Sequence, residues 1–170
     1  MNNLAFAPRD DLGPVRLRLA EPQDLELLRT WRNRHTHRFF QQESVTPEAQ
    51  RRWYESYLTR PDDYMFMVLQ GPTPIGCIGG RLVGKEWDVY NPILGVLSSR
   101  YKGSMDKALA LLISFLKEKR DLPVRAEVLS DNLRCLAFAQ RGGFVKWSEK
   151  SGSVVLYHQR TSEPSKDENA

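Results

Sequence analysis

Cysteine is scarce in this chain of 170 residues, with Cys77 and Cys135 the only two. Two thiols so far apart build neither a disulfide framework nor a four-ligand zinc site. Both sit among apolar neighbours, so they read as buried free thiols of a reducing compartment. No apolar run approaches the roughly 20 residues that cross a bilayer. The first ten residues, Met-Asn-Asn-Leu-Ala-Phe-Ala-Pro-Arg-Asp, lack the basic opening and apolar stretch of a secretory signal. The expectation is a cytoplasmic protein with no membrane partner. Basic residues form no block and no DNA- or RNA-binding signature is present, which argues against nucleic acid. His35-x-His37 has no Cys or acidic companion at ligand spacing, so no metal is expected. No internal repeat or low-complexity segment interrupts the core.

What is present is an ordinary globular composition, 41% hydrophobic and 27% charged, in 19.6 kDa. That suffices for one domain with a real core and not for two. Lys and Arg number 25 against 21 Asp and Glu, giving a formal charge of +4 and a pI near 9.2. The excess favours an anionic partner: nucleic acid, an acidic lipid surface or a phosphorylated small molecule.

Residues 1–13 carry no periodic pattern and read as a flexible leader; residues 161–170, polar and charged, read as a disordered tail. Between them, in a single domain over 14–160, Val15–Leu19 alternates like a half-buried strand. Pro22 opens a helix with Leu25, Leu28 and Trp31 on one stripe, and Thr46-Pro47-Glu48 caps a second. The runs 64–69 and 75–82 form a hairpin, and Trp87–Leu97 is a third strand in which Pro92 demands a bulge or an end to pairing. Gly103 introduces a long helix bearing Met105, Leu109, Leu112 and Leu116. Strand 124–129, a helix from Asn132 to about Arg141, and a closing hairpin over 144–149 and 154–159 complete the order. The result is an α/β (α+β) domain with a mixed, mostly antiparallel sheet of about seven strands flanked by four helices.

The most informative stretch is Leu94–Met105, a strand turning directly into a helix. Free amides at a helix N-terminus, Gly103 for close approach, and Arg100 and Lys102 beside it suit phosphate oxygens. Ser130–Phe144 reads as an Asn-capped helix ending at glycine. In order and spacing these two stretches resemble the GCN5-related N-acetyltransferase superfamily. Arg100, Gly103 and Met105 fall on its Arg/Gln-x-x-Gly-x-Gly/Ala motif, with Met105 where a small residue is usual. Asn132, Cys135, Gly143 and Phe144 fall on its Asn-x-x-Ala…Gly-Phe motif. The resemblance spans residues 15–159. It implies acetyl-CoA as cosubstrate, with pantetheine along main-chain groups near Val96 and Leu97. The same resemblance places the pyrophosphate on the turn formed by Arg100, Tyr101, Lys102, Gly103, Ser104 and Met105, and gives Asn132 and Phe138 to the cofactor arm.

Trp31-Arg32-Asn33, Arg38-Phe39-Phe40 and Trp53-Tyr54 resemble the amino-sugar-nucleotide N-acetyltransferases of glycan pathways and, less closely, ribosomal-protein N-terminal acetyltransferases. Trp31, Arg32, Asn33 and Arg38 are accordingly the candidate substrate-binding residues. Arg29, Arg32, Arg34 and Arg38 crowd one helix end and suit an anionic substrate, with aromatics beside them to stack on a base or sugar; a core and solvated rim is the alternative. The family's usual proton donor, five residues before the Phe of Gly-Phe, falls on Ala139, and a frequent base position falls near Pro92. Neither can move a proton. Asp88 and Tyr90 share the face of Pro92 by period-2 counting and are the substitute catalytic candidates, with His35, His37 or water relays as alternatives.

The reading is an acetyl-CoA-dependent N-acyltransferase acting on a primary amine of a small anionic molecule such as an amino-sugar nucleotide. The alternatives are a non-catalytic acyl-CoA-binding or interaction module of the same fold, and a protein N-terminal acetyltransferase. An exposed sheet edge would support a homodimer.

Overall fold

Eight strands make one mixed sheet in the order β1-β2-β3-β4-β5-β6-β8-β7. The computed structural model describes residues 4–5 and 12–159, so the tail expected over 161–170 lies outside the described residues, as does most of the leader. The strands are β1 (Leu4–Ala5), β2 (Val15–Leu19), β3 (Asp63–Gln70), β4 (Thr73–Val83), β5 (Glu86–Leu94), β6 (Val124–Leu129), β7 (Phe144–Lys150) and β8 (Ser153–His158). The helices are α1 (Leu25–Asn33), α2 (Pro47–Thr59), α3 (Ser104–Lys119) and α4 (Leu133–Arg141). β1, a two-residue strand within the expected leader, pairs with β2 and raises the strand count to eight. Among the described residues, no helix is long and apolar enough to cross a membrane.

Local chemistry sets the helix boundaries. Thr46 Oγ1 accepts from the Ala49 N–H at 3.1 Å ahead of Pro47, and Asn132 Oδ1 accepts from the Cys135 N–H at 3.3 Å. Both satisfy donors that a helix N-terminus leaves unpaired.

The helices cover both faces of the central strands, which explains why β3 is apolar almost throughout rather than alternating. On one face Leu109, Leu112 and Leu116 of α3 pack against Leu17, Phe66, Val68 and Trp87. On the other, Leu28 and Trp31 of α1 and Tyr57 of α2 pack against Met65, Met67, Cys77 and Ile93.

Pro92 produces the expected bulge. Cys77 pairs with Ile93 but Gly79 pairs with Tyr90, so β5 carries one extra residue, and Asn91 sits at φ 49°. The bulge shifts the alternation: Ile93, not Pro92, returns to the face that holds Tyr90. β5 also ends at Leu94, three residues before the expected Leu97.

Candidate active site

Among the described residues, the one parallel pairing in the sheet lies between β5 and β6, and it is short. It runs from Trp87↔Val124 to Val89↔Ala126 and stops where β5 bulges. β6 stays paired with β8 as far as Leu129↔Ser153, so the two parallel strands part only at their C-terminal ends. A cleft outside the carboxyl ends of parallel strands is the usual ligand position in such sheets.

The lip of the cleft follows from two close contacts. Gly95 and Val96 both donate their N–H to Ile75 O, at 2.7 and 3.1 Å, which anchors the end of β5 to β4. The Trp31 ring covers Gly95 so closely that a Cβ there would come within 2.0 Å of it. The Val96 N–H, expected to face a pantetheine chain, is therefore already engaged within the sheet. Leu97 is exposed, and its amide makes no hydrogen bond among the described residues.

Downstream, a 3-10 turn over Ser99–Tyr101 leads into α3 through Gly103, whose φ of 82° is costly for any other residue. Beside the start of α3 lies a cavity of about 280 Å³ lined by Leu12, Gln70, Ser99, Arg100, Lys102, Ser104 and Lys107. Three cations and no acid face it. Asp106, in the first turn of the helix, is paired with Arg141 at 3.1 Å. The first-turn amides of α3 have no intrahelical acceptor. Cations, free amides and a glycine turn together form a donor set suited to a diphosphate.

Ser104 and Met105 take roles the sequence did not disclose. Ser104 Oγ donates to Gln70 Oε1 at 2.7 Å, and Gln70 Nε2 donates to Gly13 O. Met105 turns down onto the sheet, its Sδ 3.1 Å from where a Cβ on Gly76 would stand, and leaves the turn clear. Tyr101 is buried in the core, with Arg100 over its ring at 5.6 Å.

On the α1 side the arginine cluster is largely committed to the protein itself. Arg29 pairs with Glu26 at 2.5 Å. Arg32 lies over the Phe39 ring at 3.5 Å and donates to Gln41 O at 2.7 Å, and burial lowers its pKa. Arg34 donates to Gly95 O at 3.2 Å. Asn33 clamps Val45 from both sides, through its Nδ2 to Val45 O at 2.9 Å and its Oδ1 from the Val45 N–H at 2.8 Å. Trp31 is 3% exposed and packs as core. Of the candidate acceptor residues, Arg38 lines a cavity of about 250 Å³ shared with His37, Asp131, Asn132, Leu133 and Arg134. The turn at 36–38 reaches α4 there, with Asn132 Nδ2 donating to Arg38 O at 3.4 Å.

Asp88 and Tyr90 are both engaged. Asp88 bonds Arg81 at 3.1 Å and lies 3.6 Å from Arg125; burial, outweighing these charges, raises its pKa. Tyr90 donates its hydroxyl to Asp63 Oδ1 at 2.5 Å, and burial followed by the Asp63 charge pushes its pKa up. Arg60 holds the other Asp63 oxygen at 3.3 Å. The pair thus links β3 to β5 across Gly79. Ala139 is buried in the core, and Phe138 is half-buried against the same cluster. Burial pushes Cys135 up to about 11, consistent with a packing role. Gln70, Lys107 and Arg134 escaped the sequence reading because each is placed by tertiary contacts that no local motif encodes.

Residues 15–145 match the family described as Acetyltransferase (GNAT) domain. No curated protein matches the chain. Among solved structures, apo FdhC, a nucleotide-linked sugar GNAT, superposes with a TM-score of 0.70 at 22% identity over 84% of this chain and 85% of its own. Campylobacter jejuni N-acetyltransferase PseH in complex with acetyl coenzyme A gives 0.65 at 18% identity, over 86% and 99%. RimL, a ribosomal L7/L12 alpha-N-protein acetyltransferase in complex with coenzyme A, gives 0.71 at 15% identity, over 92% and 96%. At these identities the likeness concerns the fold.

Proposed function

The chain belongs to the GNAT acetyltransferase family, and on that premise we propose that it moves an acetyl group from acetyl-CoA to a primary amine of a small anionic acceptor such as an amino-sugar nucleotide. The observation that carries the reading is the parting of β5 from β6 beyond Val89↔Ala126, with a cationic cavity beside the start of α3 whose lining holds no acid. Arg100, Lys102 and Lys107 with the first-turn amides would hold the diphosphate, and the cleft would take the extended arm. When bound, acetyl-CoA supplies a thioester: the amine nitrogen bonds to its carbonyl carbon, the carbon–sulfur bond breaks and the thiolate leaves. Two protons need handling, one leaving the amine and one reaching the thiolate. Asp88 and Tyr90 already serve internal partners, so water at the cleft mouth carries the protons, and the protein contributes mainly by holding amine and thioester together.

A second reading, an acyl-CoA-binding module without transfer, is favoured by the buried Ala139 at the usual donor position and by the engaged Asp88 and Tyr90. One experiment separates the two. Acetyl-CoA at about 100 times its Kd should raise the melting temperature by about 5–10 °C. Free CoA release is then followed with a panel of amines that includes amino-sugar nucleotides. Acceleration by one of them supports transfer. Stabilisation without acceleration by any of them favours the binding module, and no stabilisation overturns both.

A further inference from the structure

The cavity between the 36–38 turn and the start of α4 is lined by two arginines against one acid, Asp131, which leaves an excess of positive charge. It lies where the turn, continuing from α1, meets α4, which packs on the opposite face of the sheet, at the end of β6. Arg38 and Arg134 line it from different elements, and among the described residues neither forms an ion pair. Asp131, on the same wall, pairs with neither. The neighbouring arginines behave differently: Arg29 has Glu26, Arg32 has Gln41 O and the Phe39 ring, and Arg34 has Gly95 O. His35, beside the same turn, has its pKa lowered by burial first and then by the charges of Arg38, His37, Arg134 and Arg34.

We propose that this cavity is the docking site for the anionic group of the acceptor, a phosphate or diphosphate held between Arg38 and Arg134. The inference rests on the transferase reading above and adds the place and chemistry of acceptor recognition. Two guanidinium groups from separate elements can each present paired N–H donors to the oxygens of an anion, which favours a phosphate or diphosphate, with oxygens enough for both, over a neutral hydroxyl. The cavity shares no lining residue with the cationic turn at the start of α3, and it meets the expected path of the cofactor arm only at Asn132. Donor and acceptor phosphates would then be gripped by different side chains.

The test uses inorganic pyrophosphate as probe, followed by calorimetric titration into the full chain with and without saturating CoA. In wild-type protein, CoA should block uptake at the α3 turn and leave one pyrophosphate bound. In the Arg38→Ala/Arg134→Ala double variant, uptake by CoA-saturated protein should weaken at least tenfold while CoA affinity stays within twofold of wild type. Both side chains are partly or fully exposed, so the variant should fold; Arg38→Lys/Arg134→Lys, which keeps the charge but loses the paired donors, should fall between. Pyrophosphate uptake abolished by CoA would assign these arginines to the donor's own phosphates and overturn the proposal. Equal uptake by wild type and double variant would overturn it as well. Failure of CoA itself to bind would instead count against the transferase reading, and the comparison of pyrophosphate uptake between wild type and double variant would still decide the site.

Discussion

Ser104, the first residue of α3, donates its hydroxyl to Gln70 at the end of β3 across 2.7 Å, and both side chains are buried. Gln70 in turn reaches Gly13 O, so a single amide ties the start of β2 and the end of β3 to the turn that carries Arg100 and Lys102. A helix start that must present its amides to a diphosphate gains from being fixed in place before the ligand arrives.

Breaking that link should cost both stability and donor binding. Gln70→Leu leaves the Ser104 hydroxyl and Gly13 carbonyl without partners, a loss of about 1–3 kcal/mol in urea unfolding. CoA affinity should fall roughly fivefold or more by calorimetry, since the cationic turn loses its anchor. Gln70→Glu restores an acceptor for Ser104 but not a donor for Gly13 O, and should recover part of the CoA affinity. CoA affinity unchanged in Gln70→Leu would confine the link to a structural role.

Met105 and Gly76 form a matched pair. The thioether fills the space above a strand residue without a side chain. Met105→Ala would give the turn a small residue at this position, yet it should destabilise the fold by about 2 kcal/mol, the low end for such truncations because Met105 is only half-buried. CoA affinity should hold, because the methionine points away from the turn. Gly76→Ala should be the more damaging change, as its Cβ would meet Ile93 O at 2.2 Å. Thermal melts and CoA titrations of the two variants check both statements.

Asn132 serves two masters through its two side-chain atoms. Its Oδ1 caps α4 at the Cys135 N–H and its Nδ2 holds Arg38 O. Asn132→Asp keeps the acceptor and loses the donor; Asn132→Ala loses both. Stability should fall by about 1 kcal/mol in the alanine variant and little in the aspartate one. If the amide donor also bonds the cofactor arm, both variants should weaken acetyl-CoA binding by about threefold to tenfold. Wild-type affinity in Asn132→Asp would remove that role and leave the cap and the turn.

Periodicity and punctuation made the element order legible. The Thr46-Pro47 start, the Pro92 bulge, the Asn132 cap and the strand at 124–129 all stand where residue chemistry put them. So did the cationic turn, because Arg100, Lys102 and Gly103 are contiguous. The remainder depends on the return of the chain in three dimensions. β8 inserts between β6 and β7, and no local pattern encodes that order. Four arginines within ten residues looked like one anionic site, but three of them find partners in Glu26, Gln41 and Gly95 that only the folded loop supplies. Arg134, nearly a hundred residues away, takes their place beside Arg38. Counting by twos carried Asp88 and Tyr90 to the face of Pro92, and the extra residue in the bulge undid the count.

The state of Asp88 makes a signed prediction about pH. Burial, ahead of the Arg81 and Arg125 charges, raises its carboxyl above the ordinary value of about 3.9. A raised value means that the folded chain binds this proton more tightly than the unfolded chain does. The contribution of Asp88 to stability is therefore greatest below the unfolded value and declines as pH rises through the higher folded one. Asn in its place does not titrate, so the stability of Asp88→Asn relative to wild type should climb over that window and level off above it. Urea unfolding of both proteins at a series of pH values measures the difference directly. A difference that instead falls with rising pH would show that the two arginines outweigh burial. Asp88 would then be held as a net favourable ion pair, and its carboxylate would be harder still to recruit as a base.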